Sequence, residues 1–232
     1  MKIIVAQTLA NRVKSGELIG LGSGTTVELA IECIGKRIAE EGLKVTGVPT
    51  SIRVAQQAAK SGFTLLPLQA QADINWSFDG ADEVDPHLNL IKGRGGAMTC
   101  EKILARVSRR LVIIVSEDKI VSHLGEKHPV PIEVITESEE YVRNELFKLN
   151  ATEVKLRESI TKYGPTITEH GNLILDAKFA TITPDLEMRI KGISGVIESG
   201  LFYGCTDEVI VARKTGVYSL RMNNGKVSEE KI

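Results

Sequence analysis

Between Leu18 and Ser116, short apolar runs alternate with amphipathic stretches, and glycine marks most of the joins. The runs are "ELIGLG", "LKVTGV", "TLLPL", "INWSFDG", "LNLIKG" and "RLVIIVS". Interleaved with them are "TTVELAIECIGKRIAEEG", "SIRVAQQAAKSG" and "MTCEKILARV", whose apolar residues recur at helical spacing. A strand that is apolar along its whole length must be covered on both faces, and parallel strands need a crossover of about a dozen residues between them. Helices supply both. The pattern predicts an α/β domain around a mostly parallel, Rossmann-like sheet. A further helix over "KIIVAQTLANRV" precedes it.

After about Lys127 the rhythm changes. "HPVPIEVI" reads as a strand, "SEEYVRNELFKL" as a helix, "TEVKLRE" and "NLILDAKF" as strands, "DLEMRIKG" as a helix and "GVIESGLF" as a strand. That order, βαββαβ, is the split-βαβ ferredoxin-like pattern. "EVIVAR" and "GVYSLRM" form a hairpin around Lys214-Thr215-Gly216 that returns to the first sheet. The expected organisation is a Rossmann-like α/β catalytic domain over residues 1–127 plus 203–232, with a smaller ferredoxin-like α+β domain over residues 128–202. The polar tail "NNGKVSEEKI" is expected to fray.

At 232 residues the chain can bury a large core. Its formal net charge of −1 argues against a nucleic-acid partner, because phosphate-backbone binding rests on a clustered basic excess. No apolar run approaches the roughly 18 residues of a membrane span, and the first residues lack the pattern of a signal peptide. Cys33, Cys100 and Cys205 lie far apart with no C-x-x-C, which suits a reducing compartment. A cytoplasmic, soluble protein is expected.

Three polar turns stand at strand ends: "GSGTT" (Gly22–Thr26), "DGADE" (Asp79–Glu83) and "KGRGG" (Lys92–Gly96). Ligands of open α/β sheets bind beyond the carboxyl ends of the strands, so a shared mouth is expected. In the first turn, glycines let the backbone approach a ligand, the following helix offers N–H groups and a positive dipole end, and Ser23, Thr25 and Thr26 add hydroxyls. Taken alone, this is equally a strand–helix turn capped by Thr25. A P-loop is excluded because no lysine follows the glycines. A dinucleotide fingerprint fails on the spacing of Gly20, Gly22 and Gly24 and on the missing ribose-binding acid. A monophosphate suits the turn better than a nucleotide.

"FDGADEVD" gathers Asp79, Asp82, Glu83 and Asp85. Their spacing is not that of a calcium loop, and His87, His123, His128 and His170 offer no zinc spacing. Asp79 and Asp82 end an apolar strand beside the small Gly80 and Ala81, where a ligand can come close. Glu83, Asp85 and His87 read as solvated turn residues. In "IKGRGGAMTCEKI", Lys92 and a glycine-rich arc precede Glu101, which opens a helix. A cation, backbone N–H donors and a carboxylate are the requirements for removing a proton next to a carbonyl. Alone, Glu101 reads as a first-turn acid favoured by the helix dipole, Cys100 as a packing residue and Arg94 as a surface charge. The combination points to an aldose–ketose isomerase acting on a sugar phosphate.

Taken in order, "GLGSGTT", "GVPTS", "SFDGADEVD", "LIKGRGGAMTCEKI" and "VSEDK" resemble the A-type ribose-5-phosphate isomerase family, and the likeness covers nearly the whole chain. The resemblance implies interconversion of ribose 5-phosphate and ribulose 5-phosphate in the pentose phosphate pathway, with no metal or organic cofactor, by a homodimer or homotetramer. It assigns substrate binding to Ser23, Gly24, Thr25, Thr26, Asp79, Gly80, Ala81, Asp82, Lys92, Gly93, Arg94, Gly95 and Lys119. Glu101 matches the proton-abstracting base. Asp79 and Asp82 match carboxylates that assist ring opening and proton movement between the sugar oxygens. Lys92 matches the cation that steadies the enediolate, and over a short stretch Lys2 matches an N-terminal lysine that reaches the phosphate. Arg94 stands where many members have glycine, and Gly96 extends the arc by one position.

Two other classes compete. A CoA transferase would use a glutamate such as Glu101 to attack a thioester, but needs a CoA-length pocket. A sugar-phosphate sensor would need an attached DNA-binding module and would have no use for both Glu101 and Lys92.

Overall fold

The computed structural model describes residues 1–223 and 225–232. The chain divides into two compact units, one of residues 1–81, 100–120 and 204–232, the other of residues 82–99 and 121–203.

The first unit is built on an eight-stranded sheet. Its parallel part runs in the spatial order Glu208–Arg213, Leu111–Ser116, Trp76–Asp79, Leu18–Leu21, Thr46–Pro49 and Thr64–Leu65. Every residue of Leu111–Ser116 is buried, which is why that run carries no polar alternation. The helices Lys2–Ala10 and Thr25–Glu41 bring Val5, Leu9, Val27, Ile31 and Ile34 into one core with Ile19, Leu21, Phe78 and Ile114. Each fully buried aliphatic side chain contributes about 2 kcal/mol of transfer free energy. Ile3, on the same first helix, is 43% exposed.

Glu208–Arg213 turns back into Gly216–Asn223, and Lys226–Lys231 adds a last antiparallel strand. The tail expected to fray is therefore a paired edge strand from Lys226 to Lys231, while Asn224 lies outside the described residues. Backbone pairing to the hairpin decides this. An outermost strand needs no apolar face, and Lys and Glu there discourage further strand addition.

In the second unit, Val130–Val134, Ala151–Leu156, Leu173–Phe179 and Val196–Ser199 alternate with the helices Glu139–Lys148 and Leu186–Lys191 in the order βαββαβ. The sheet places them fourth, first, third, second, antiparallel throughout, which is the ferredoxin-like arrangement. One sheet face, with Val130, Ile132, Val134, Leu173, Leu175 and Ala177, shares a core with Val142 and Leu146 of one helix and Leu186 and Ile190 of the other.

The run "GVIESGLF" divides at Gly200. Leu201–Phe202 leaves the four-stranded sheet for a small antiparallel one with Leu90–Ile91 and Glu83–Val84. The strand of "LNLIKG" thus belongs to the second unit and not to the parallel sheet. Its partner is set locally: Asp85 Oδ1 accepts the N–H groups of His87 and Asn89, both at 2.8 Å, and folds the chain into a tight reversal.

Candidate active site

Three turns of the first unit leave the same edge of its sheet, after Leu21, after Asp79 and after Ser116. The parallel registers Leu21–Phe78 and Asp79–Ile113 make them neighbours. This is the carboxyl edge, where open α/β sheets bind ligands.

Ser23 ties two buried carboxylates together. Its N–H donates to Asp79 Oδ1 at 3.0 Å, and its hydroxyl donates to Glu101 Oε1 at 2.5 Å. Gly80 N–H donates to the same Asp79 oxygen at 2.7 Å. Asp79 is 2% exposed and Glu101 4%. The arrangement depends on Gly22: a Cβ there would fall 2.1 Å from Asp79 Cγ, so only glycine leaves room for the carboxylate. Glu101 lies in the first turn of the helix Met98–Val107, as expected, but it is held by a hydroxyl within the unit and does not face water.

The helix Thr25–Glu41 begins beside this pair. Its N-cap is Gly24 at φ 104°, and no side chain caps it. Thr25 is the first helical residue and not the cap, which corrects the expectation for this turn. The N–H groups of the first turn have no partner within a helix, so an uncapped start offers them and the dipole to an anion. Thr26 lies in the same turn, and Lys2 Nζ donates to Thr25 Oγ1 at 2.7 Å, adding a full positive charge. Past Ser116, Lys119 sits in the short 3-10 turn Glu117–Lys119 with its ammonium 3.8 Å from Asp118 Oδ2. Ala81 is half-buried where the chain leaves the unit. The first unit therefore assembles an uncapped helix start and two buried carboxylates within one cluster.

The remaining expected residues lie in the second unit. Lys92 is 3% exposed, its N–H donates to Gly200 O at 2.9 Å, and its ammonium lies 5.7 Å from the ring centre of Phe202. Gly93 is buried, while Arg94 and Gly95 are exposed. Arg94 N–H donates to Asp82 Oδ2 at 3.2 Å, which joins the acidic turn to the arc.

Glu83 overturns its expectation. It is fully buried and accepts the N–H groups of Gly125 at 2.7 Å and of Lys127 and His128 at 2.6 Å. It anchors residues 125–128 and is no solvated bystander. Asp85 is a turn former and His87 is exposed. Among the described residues, no group of three or more His, Cys, Asp or Glu side chains could hold a metal ion.

Sequence reasoning missed Arg157 and Asp176. Arg157 Nη1 donates to the carbonyls of Gly93 and Arg94, and Asp176 pairs with the same guanidinium. Nothing local marks them, since Arg157 stands more than sixty residues from the arc carbonyls it holds and Asp176 meets only that arginine's guanidinium among these groups.

The family model of ribose 5-phosphate isomerase A (phosphoriboisomerase A) matches residues 46–216. The chain is 42% identical to a ribose-5-phosphate isomerase A of Thermococcus kodakarensis, over 94% of this chain and 96% of that one. It is 43% identical to the protein of that name from Pyrococcus abyssi, over 95% and 97%. Among solved structures, ribose 5-phosphate isomerase A from Methanocaldococcus jannaschii superposes with a TM-score of 0.91 at 41% identity, covering 95% of this chain and 98% of that one. A D-ribose-5-phosphate isomerase in complex with phospho-erythronic acid superposes at 0.92 with 39% identity, covering 95% and 97%. On these matches in sequence and in structure, the chain belongs to the ribose 5-phosphate isomerase A family.

Proposed function

We propose that this chain interconverts D-ribose 5-phosphate and D-ribulose 5-phosphate through an enediolate, in the non-oxidative branch of the pentose phosphate pathway. The observation that carries the reading is the Ser23 link between Asp79 and Glu101 at an uncapped helix start. It supports an anion site and a carboxylate base within one cluster. A related isomerase holds phospho-erythronic acid, whose carboxylate presents two oxygens in one plane, as an enediolate does.

In this mechanism Gly24, Thr25 and Thr26 take the phosphate on hydroxyl and N–H donors, with Lys2 and Lys119 adding charge, while Ser23 lines the substrate and keeps its N–H and hydroxyl on Asp79 and Glu101. Asp79 and Asp82, with Gly80 and Ala81 between them, take up and return protons on the sugar oxygens as the ring opens. Glu101 removes the proton from C2, and the electron pair moves through C1 to the carbonyl oxygen, giving the enediolate. Lys92, with the backbone N–H groups of Gly93 and Gly95, stabilises that negative charge, while Arg94 N–H holds Asp82 beside it. Glu101, whose proton exchanges with solvent during the life of the enediolate, then delivers a proton to C1 while the O2 proton passes to O1, leaving the ketose. A carbon acid is far weaker than a carboxylic acid, so the base works only where the oxyanion is stabilised, and loss of one donor costs roughly 3–4 kcal/mol. No metal or organic cofactor enters these steps. Three cysteines that are all thiols support a cytoplasmic setting, and the family resemblance supports a homodimer or homotetramer.

The test is solvent deuterium exchange into ribose 5-phosphate with EDTA present. The wild type is expected to exchange at C2 and form ketose, and Glu101→Gln to lose both by at least about 10³-fold. Binding without exchange would favour a sensor, and chelator-sensitive turnover would favour a metal enzyme.

A further inference from the structure

The ferredoxin-like sheet has two faces, and its helices occupy one of them. Along Leu173–Phe179 the odd-numbered residues enter the helix-covered core, so Ile174 and Asp176 point the other way. Glu133 pairs directly with Ile174 in the antiparallel register and shares that second face. Arg157 follows Ala151–Leu156, and its N–H extends the pairing by donating to Ile174 O at 2.8 Å.

These four residues hold the segment 93–99. Arg157 Nη1 donates to Gly93 O at 2.9 Å and Arg94 O at 3.0 Å. Its Nε donates to Asp176 Oδ2 at 2.8 Å and its Nη2 to Asp176 Oδ1. Four of the five guanidinium donors are thereby in use. Ile174 Cδ1 lies against Gly96, 3.3 Å from where a Cβ would stand. Glu133, fully buried, accepts from Thr99 Oγ1 by its Oε2, and from Thr168 Oγ1 at 2.7 Å and Asn172 Nδ2 at 2.9 Å by its Oε1.

In a planar trans peptide the C=O of one residue and the N–H of the next point in opposite directions. A donor that fixes Gly93 O therefore aims Arg94 N–H away from itself, and that N–H donates to Asp82 Oδ2 at 3.2 Å. Fixing Arg94 O aims Gly95 N–H in the same sense. We propose that Arg157, braced by Asp176, is a positioning residue for the isomerase reaction. By holding two consecutive carbonyls of the Lys92–Gly95 arc, it sets the direction of the Arg94 and Gly95 N–H groups and the place of the Asp82 carboxylate. This rests on the reading of the arc as the enediolate-stabilising element. A lysine cannot substitute, because its single ammonium cannot bridge two carbonyls and a bidentate carboxylate at once.

The test compares Arg157→Lys, Arg157→Met and Asp176→Asn with the wild type in two ways. In kinetics, both Arg157 variants are expected to lose about 10- to 100-fold in kcat, with KM moving less than about 3-fold, because the arc acts on the transition state and the phosphate is held elsewhere. Asp176→Asn, which leaves the arginine present, is expected to fall between them and the wild type. In amide hydrogen exchange, the peptide over residues 92–98 is expected to exchange at least about tenfold faster in Arg157→Lys than in the wild type. A merely structural role would lower the active fraction and the melting midpoint while leaving kcat per active site and the local exchange of that peptide unchanged. Wild-type kcat in either folded Arg157 variant, or unchanged exchange over 92–98, overturns the proposal. A wild type that fails to isomerise ribose 5-phosphate would sink the functional reading alone, and the exchange measurement would still decide whether Arg157 holds the arc.

Discussion

Replacing Glu208 by glutamine should cost stability in a pH-dependent way whose size follows from the contacts of one carboxylate. Glu208 begins the strand Glu208–Arg213, and its side chain is fully buried. Arg12 Nη1 donates to its two oxygens at 2.9 and 2.8 Å, Arg221 Nη2 at 3.0 Å and Ser219 Oγ at 2.5 Å, and Arg110 is in close contact as well. Burial by itself would push the carboxyl upward. The hydrogen bonds from Ser219, Arg12 and Arg221 and the charge of Arg12 outweigh it and hold the pKa at about 2, against 4.5 for an ordinary glutamate. A depressed folded-state pKa stabilises the fold above the unfolded value, and that stability is lost as pH falls from about 4.5 through about 2. The difference corresponds to about 3 kcal/mol. Because the three guanidinium groups are 30–45% exposed, water screening reduces it to about 2–3 kcal/mol. Urea denaturation of wild type and Glu208→Gln between pH 7 and pH 3 measures it. The gap should be constant from pH 7 to about pH 5.5 and shrink to under about half by pH 3. A gap that does not change with pH, or none at pH 7, would refute the assignment of the stability to this ion cluster.

Two further outcomes follow from the site's geometry. Gly22→Ala sets a methyl 2.1 Å from Asp79 Cγ, so the carboxylate must swing away from the N–H groups of Ser23 and Gly80. Turnover should fall about 100-fold with the circular dichroism spectrum retained, and a fully active variant would show that Asp79 need not occupy this position. Glu83→Gln presents an amide to three backbone donors that now meet one carboxylate, and should lower unfolding stability by about 3 kcal/mol while kcat of the folded enzyme is unchanged. A change under about 0.5 kcal/mol in urea denaturation would mean that the N–H groups of residues 125–128 find other partners.

The sequence by itself determined the elements whose reasons are local. Continuous apolar runs closed by glycine meant doubly covered strands, and "RLVIIVS" became the fully buried Leu111–Ser116. The change of rhythm after Lys127 marked the ferredoxin-like order, because loop lengths and periodicity carry that information along the chain. Ser23, Asp79 and Glu101 were legible as candidates because each stands where a strand ends or a helix begins, and chemistry collects there.

What only the tertiary structure decided concerns partners far apart in sequence. Glu83 was misread because a carboxylate in a polar turn looks the same whether it meets water or the N–H groups of residues more than forty positions away. The polar tail became a strand because a neighbouring backbone, and not its own composition, supplied the pairing. "LNLIKG" left the parallel sheet because its short strand pairs backward across the turn that Asp85 folds. Arg157 and Asp176 carried no motif at all. Their part in orienting the arc exists only once the third strand of the second sheet lies beside the second, since hydrogen-bond direction is a property of three-dimensional position and leaves no periodic trace in the chain.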